Sequence, residues 1–199
     1  MFAAIPLLFS LQQFSEGFVW LSYTHDSYSL YGRIATYSFL FFAQVVWPVV
    51  IPLSIMGLET DPKRKKTLLV MTGMGALLAV YLTYCLIMYP VSANVDCYHI
   101  HYSLDFPLVF SWVSAVFYFI PIVLPAFISS FRRVPLLGLL TLISYFITEA
   151  FYVNYFISVW CFFAAMISGL ILWVLVEVKR PIHAKKIITS ISQANRLLK

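Results

Sequence analysis

The chain has 199 residues, of which 62% are hydrophobic and only 11% are charged, and its net charge is +5. A soluble domain is typically about 45–50% apolar and about 25% charged, so this composition excludes a water-soluble globule. Three cysteines are too few to form a disulfide framework. The membrane is therefore the solvent in which this chain folds.

Apolar segments long enough to cross a membrane recur along the whole chain. A helix of about 20 residues spans the ~30 Å hydrocarbon core of a bilayer. Segments such as 68–88 and 106–128 are apolar on almost every side, which is typical of membrane helices and not of the alternating strands of a β-barrel. We therefore predict an all-α polytopic transmembrane helix bundle, with residues 1–178 forming a single domain. Its six spans are predicted at 2–23, 34–57, 67–90, 106–130, 135–153 and 155–178.

Basic residues are concentrated in the links that follow the second, fourth and sixth predicted spans. Lysine and arginine in short links remain on the cytoplasmic side of a membrane during insertion. This pattern predicts that the N-terminus and the C-terminus are both cytoplasmic, and that the other links face outward. The basic residues concerned are Lys63, Arg64, Lys65, Lys66, Arg132, Arg133, Lys179, Arg180, Lys185 and Lys186.

Residues 179–199 form a basic tail in which apolar residues recur at helical spacing. This pattern favours an amphipathic helix on the cytoplasmic membrane surface, with anionic lipid as its partner. A frayed basic tail that only fixes the topology is the alternative. Nucleic acid is not expected as a partner, because lipid attraction accounts for the positive charge.

Polar side chains inside the predicted spans are candidates for a functional site. An ionisable group near the bilayer centre costs about 2.5–3.5 kcal/mol or more, so each one needs compensation. We expect these side chains to converge on an outward-facing polar cavity centred on Glu16 and Glu149, because they lie in the outer half of their spans. Hydrogen-bonded cross-links between helices are the structural alternative. The candidates are Gln12, Gln13, Glu16, Trp20, Gln44, Tyr145, Glu149, Ser158 and Trp160.

The link between the third and fourth spans contains a group of metal-ligating residue types. In an extended conformation Cys97, His99, His101 and Asp105 would project to one side, where imidazole and thiolate groups suit zinc. The spacing matches no strong zinc signature, and solvated loop histidines are the simpler interpretation. Neither haem nor retinal is expected, because the spans lack paired mid-membrane histidines and a mid-membrane lysine.

Prolines and small residues predict how the helices bend and pack. Pro48 and Pro52 in the second span, and Pro121 and Pro125 in the fourth, each remove a backbone hydrogen bond and predict kinks. Small residues four positions apart predict close helix crossings. These pairs are Gly75 with Ala79, and Ala165 with Gly169.

Two motifs carry a resemblance to a known family. The first is FAAIPLLF at residues 2–9, followed by Gln12, Gln13 and Glu16, and the second is SVWCFFAA at residues 158–165. The chain resembles domain-of-unknown-function family 6629, a family of bacterial multi-pass membrane proteins. The resemblance implies a place in the bacterial inner (plasma) membrane and supplies no activity. It also implies a further hydrophobic segment before the first motif, so this chain would lack the family's first helix.

Three functions fit these patterns. The leading hypothesis is a small membrane protein that binds or passes a small polar or cationic ligand through the outward-facing cavity. The second is a metal-dependent intramembrane or interfacial hydrolase acting on a lipid, with His99, His101 and a carboxylate holding zinc. The third is a membrane scaffold or partner subunit, assembled with itself or with another membrane protein.

Overall fold

A computed structural model describes residues 1–25, 29–96, 98–107 and 112–175 of the chain. The described residues form seven α-helices and a two-stranded sheet. A π-helical segment, Phe41–Val46, joins the second and third helices into one continuous span. The elements are α1 (Ile5–Thr24), α2 (Ser29–Leu40), α3 (Trp47–Leu58), α4 (Pro62–Met88), β1 (Val91–Asp96), β2 (His99–Leu104), α5 (Trp112–Ile128), α6 (Val134–Phe151) and α7 (Phe156–Ser168).

The prediction of an all-α helix bundle is confirmed. Within the described residues, four helices are long and apolar enough to cross a membrane: Tyr31–Leu58, Pro62–Met88, Val134–Phe151 and Val153–Leu175. These helices indicate a membrane-embedded protein. The helices α1 and α5 complete the bundle, in which α1, α2–α3, α5, α6 and α7 pack in a ring and α4 packs on its flank against α3 and α5.

The second span is irregular one turn before Pro48. The Trp47 amide donates to the carbonyl of Phe42, five residues back, so the helix widens into a π-turn. Because Pro48 has no N–H, the Ala43 carbonyl has no donor from its own helix. The hydroxyl of Tyr118, on α5, donates to that carbonyl instead. Helical structure continues through Pro52, Pro121 and Pro125.

Close packing at Gly75 explains how α4 approaches α3. A Cβ atom added at Gly75 would lie 1.9 Å from the backbone oxygen of Pro48, so only glycine fits there. Ala79 is also buried, as the predicted close crossing requires. Gly169 differs, because it is exposed and an added Cβ would approach only Met166 of its own helix. The second predicted pair, Ala165 with Gly169, therefore does not mark a close helix crossing.

A β-hairpin covers one end of the bundle. Its strands pair antiparallel, from Val91 opposite Leu104 to Asp96 opposite His99. Alternate residues of β2 are buried, and Tyr102 stacks on Phe39 of α2 with ring centroids 4.9 Å apart. Two tyrosines tie the hairpin to the helices: Tyr23 donates to the Ala93 carbonyl, and Tyr155 donates to Asp96 at 2.9 Å. We call this the hairpin end.

The two basic links that the structure describes lie together at the opposite end, which we call the basic end. Arg64 donates to the Ile128 carbonyl at 2.8 Å, which joins the start of α4 to the end of α5. Arg133 donates to the Trp173 carbonyl at 2.9 Å, and its guanidinium lies 4.0 Å from the centre of that indole ring. The predicted amphipathic tail, 179–199, lies outside the described residues.

Candidate functional site

A group of polar side chains meets between α1, α7 and the hairpin. Gln12 and Glu16 lie one turn apart on α1 and are only 0% and 6% exposed. They share one helix face because residues four apart are neighbours on a helix. Glu16 faces the hydroxyls of Ser158 and Tyr102, and the Cys161 thiol lies beside Gln12 and Glu16. We call this group the Glu16 cluster: Gln12, Glu16, Tyr102, Ser158 and Cys161.

Trp47 orients Gln12 within the cluster. Its indole Nε1 donates to Gln12 Oε1 at 2.6 Å, and its ring stacks on Phe9 with centroids 3.8 Å apart. Because the amide oxygen is occupied by Trp47, the Gln12 Nε2 donors are directed elsewhere. That nitrogen is buried and has no hydrogen-bond partner.

Other buried polar atoms in and next to the cluster are unpartnered. Among the described residues, Glu16 Oε1, the Tyr102 hydroxyl and Trp160 Nε1 are buried without a hydrogen bond. Buried polar atoms are nearly always hydrogen-bonded, and each one left unpaired costs about 1–3 kcal/mol. The unpartnered atoms within the cluster are therefore Gln12 Nε2, Glu16 Oε1 and the Tyr102 hydroxyl, and Tyr102 lies next to the Glu16 carboxylate.

Tyr102 is the only hairpin side chain that we assign to the cluster. Burial raises the pKa of its hydroxyl above the usual range, and the neighbouring Glu16 carboxylate and Cys161 raise it further. Tyr102 therefore stays protonated and keeps a proton to donate beside Glu16.

A cavity of about 90 Å³ lies within the ring of helices, next to the Glu16 cluster. Its wall is mainly apolar, with residues such as Phe9, Ile51 and Ile122 from three helices. Cys161 belongs to both the cluster and the cavity wall, and so it lies at the boundary between the two.

The other predicted site residues on α1, α6 and the π-segment have different surroundings. Tyr145 packs edge-on to Trp160, with ring centroids 5.5 Å apart. Gln13 is half-buried, with an unpartnered Nε2. Trp20 packs on the hydrophobic core around Val19, and Gln44 is half-buried in the π-helical segment.

Glu149 does not belong to the cluster. It is exposed on the last turn of α6, whereas its neighbour Thr148 is fully buried and Ser144 is buried on the same side. The groups that face Glu16 are Ser158 and Tyr102, not Glu149. The prediction of one cavity centred on Glu16 and Glu149 is therefore wrong in its second residue. Only Glu16 is buried, and the hairpin covers it.

The three predicted metal ligands that the structure describes, His99, His101 and Asp105, do not form a metal-binding group. His99 and His101 are half-buried and pack against Tyr155, with ring centroids 4.9 and 6.4 Å away. Asp105 is exposed beyond the end of β2, and Cys97 lies outside the described residues. In the part of the chain that the structure describes, no three His, Cys, Asp or Glu side chains are placed to hold a metal ion. The zinc site and the hydrolase hypothesis gain no support.

The sequence patterns do not identify one member of the cluster, Tyr102, or the residue that orients Gln12, Trp47. Trp47 looks like any aromatic residue of an apolar span, and only its contact with Gln12 reveals its role. Tyr102 lies in a link, outside the predicted spans whose polar residues are the candidates for the site. The alternation of Ile100, Tyr102 and Leu104 was the available signal, since it predicts a strand with those three side chains on one buried face.

The fold and the site define a membrane-embedded helix bundle with a buried polar cluster. Residues 1–186 match the model of a family of unknown function (DUF6629), and the chain belongs to this family. The match confirms the family indicated by the two motifs. No curated protein and no solved structure matches the chain significantly.

Proposed function

We propose that the protein binds a small polar or cationic molecule at the Glu16 cluster. The observation that supports the proposal is the buried Glu16 carboxylate, which has an oxygen without a hydrogen bond beside other unpartnered polar atoms. A carboxylate in a membrane interior is costly unless it is paired. A cationic or hydrogen-bond-donating ligand would supply that pairing.

The surrounding groups specify what the ligand needs. Glu16 would pair with an ammonium group or a hydrogen-bond donor of the ligand. Gln12 Nε2 and Trp160 Nε1 would donate to an acceptor, such as a hydroxyl or ether oxygen. The indole face of Trp160 would add a cation–π contact, which strengthens when water is excluded. A molecule with an amino group and a nearby oxygen suits this arrangement best.

We also propose how the protein is placed in the membrane. The bundle has six spans in the bacterial inner membrane, with the hairpin end outside and the basic end in the cytoplasm. The grouping of Arg64 and Arg133 at one end supports this orientation, because basic links stay in the cytoplasm. Anionic lipid headgroups are the expected partners of that end.

The proposal is tested by comparing Glu16→Gln with Glu149→Gln. Protein in lipid nanodiscs is titrated with methylammonium and tetramethylammonium chloride, using sodium chloride at the same ionic strength as the reference. Tryptophan fluorescence and the thermal midpoint report binding. Removing one member of a buried charge pair costs about 2–5 kcal/mol, so Glu16→Gln should weaken binding at least about thirtyfold.

Glu149→Gln is the matched control, because it makes the same chemical change on an exposed carboxylate. It should bind both cations like the wild-type protein. Equal binding by wild type and Glu16→Gln, or no saturable binding of either cation by the wild type, would remove the proposal. Circular dichroism verifies that both variants keep their helicity.

A further inference from the structure

We infer that the ligand is an amphiphile, whose polar head binds at the Glu16 cluster and whose single alkyl chain fills the adjoining apolar cavity. This inference rests on the proposed function and adds the chemical class of the ligand. Three properties of the cavity support the inference: its position, the chemistry of its wall and its volume.

The cavity adjoins the polar cluster directly. Trp47 and Cys161 both line the cavity; Trp47 donates its indole N–H to Gln12, and the Cys161 thiol lies beside the Gln12 side chain. Trp160 lines the cavity and carries an unpartnered Nε1. Trp47 and Cys161 thus lie between Gln12 and the cavity, so the cavity is one side chain away from the cluster.

The cavity wall offers little to a polar ligand beyond this boundary. The hydroxyl of Thr141 donates to the Leu137 carbonyl at 2.9 Å, and that of Ser168 donates to the Ala165 carbonyl at 2.6 Å. The Tyr118 hydroxyl likewise donates to a carbonyl, that of Ala43 in the π-helical segment before α3. Apolar cavities exclude water and accept apolar molecules. The wall thus favours a hydrocarbon chain.

The volume limits the length of that chain. An apolar cavity of about 150 Å³ accommodates one benzene molecule. The cavity here is about 90 Å³, so it suits one short chain and not a bundle of chains. Affinity should therefore rise with chain length and then level off once the cavity is full.

The test is a series of n-alkylamines, from methylamine to decylamine, titrated against the protein in nanodiscs. Each methylene moved from water to an apolar site is worth about fourfold in affinity. Wild type should show this increase over the first members and then a plateau. Ala164→Phe, which adds a ring to the cavity wall, should bind methylamine normally and lose the increase.

A matched control variant distinguishes binding in the cavity from partition of the alkylamines into the lipid. Ala76→Phe places the same ring on the exposed face of α4 and should behave as wild type. Partition affects all variants equally, so only the difference between wild type and Ala164→Phe counts. If Ala164→Phe fails to fold, Ala164→Leu gives a smaller reduction of the same kind.

The outcomes distinguish this inference from the proposed function. If Glu16→Gln abolishes methylamine binding but wild type and Ala164→Phe show the same dependence on chain length, the amphiphile is excluded and the Glu16 site stands. Affinity could still rise with chain length in Glu16→Gln, and this rise could still be removed when Ala164→Phe is added to it. In that case the assignment of the head group to Glu16 is wrong. The inference is supported if Glu16→Gln abolishes binding of every alkylamine and Ala164→Phe removes the dependence of affinity on chain length.

Discussion

Glu59 shows how this protein treats a buried carboxylate that has a structural role. It lies just after α3, is only 2% exposed and accepts hydrogen bonds on both oxygens. The Ser130 hydroxyl donates at 2.7 Å and the Ser130 amide at 2.8 Å, which ties the link before α4 to the link before α6. The amides of Thr60 and Asp61 donate at 2.9 and 3.1 Å. Glu16, by contrast, has an oxygen without any partner.

The hydrogen bonds of Glu59 predict a pH-dependent stability. Burial alone would raise the pKa of this carboxyl, but the bonds from Ser130, Asp61 and Thr60 outweigh burial and lower the pKa from 4.5 to about 2. A lowered folded-state pKa stabilises the protein above the unfolded value, and the stabilisation is lost as pH falls from 4.5 towards about 2.

Glu59→Gln should therefore lower the free energy of unfolding by about 2 kcal/mol at neutral pH, since hydrogen bonds to a charged group are lost. The difference between wild type and variant should shrink as the pH is lowered from about 5 to about 3. Denaturant unfolding in mixed micelles measures both quantities. A difference that stays constant over this pH range would show that the Glu59 charge is not what stabilises the link.

At the scale of helices, two glycines of α4 provide a matched pair. A Cβ at Gly75 would overlap the Pro48 carbonyl, whereas a Cβ at Gly73 would meet nothing within 4 Å. Gly75→Ala should destabilise the protein by about 1–3 kcal/mol, because α4 must move away from α3. Gly73→Ala should be neutral or stabilise by up to about 1 kcal/mol through the gain in helix propensity. Similar unfolding free energies for the two variants would refute the close crossing at Gly75.

The π-helical segment shows where sequence patterns stop being sufficient at this scale. Pro48 predicts an interruption in its span because it lacks an N–H. It does not predict whether the helix kinks, breaks or widens. The Tyr118 hydroxyl on α5 satisfies the Ala43 carbonyl that the widened turn leaves without a helical donor, and so favours that solution. The choice depends on a residue 75 positions away in the chain.

At the scale of the whole molecule, the two ends of the bundle differ in character. The hairpin closes one end and covers Glu16, while Arg64 and Arg133 lie at the other. Under the proposed orientation, the loops of the hairpin end face outward. This orientation is a prediction of topology that labelling can test.

Single cysteines in a Cys97→Ser background would report the orientation. Tyr98 is 92% exposed on the hairpin and Lys65 is exposed at the basic end, whereas Cys85 and Cys161 are buried. A membrane-impermeant thiol reagent should label Tyr98→Cys in intact cells, and should label Lys65→Cys only after permeabilisation. The reverse pattern would invert the proposed topology.

The candidate site was predictable in part. Helical spacing placed Gln12 and Glu16 on one face of α1, and the structure buries both. Ser158 was also predicted, and it faces Glu16. The sequence could not separate Glu16 from Glu149, because both occupy similar depths in apolar helices. Their different burial depends on how far each helix is rotated towards its neighbours.

The sequence by itself determined the helical, membrane-embedded class of this protein and the approximate positions of its four long apolar helices. Those properties follow from local composition, because each apolar segment must satisfy its own backbone hydrogen bonds in lipid. Only the tertiary structure decided which carboxylate is buried, that a hairpin covers it, and that an apolar cavity adjoins it. Those features arise from contacts between distant residues, such as Trp47 with Gln12 and Glu16 with Tyr102, which local patterns do not encode.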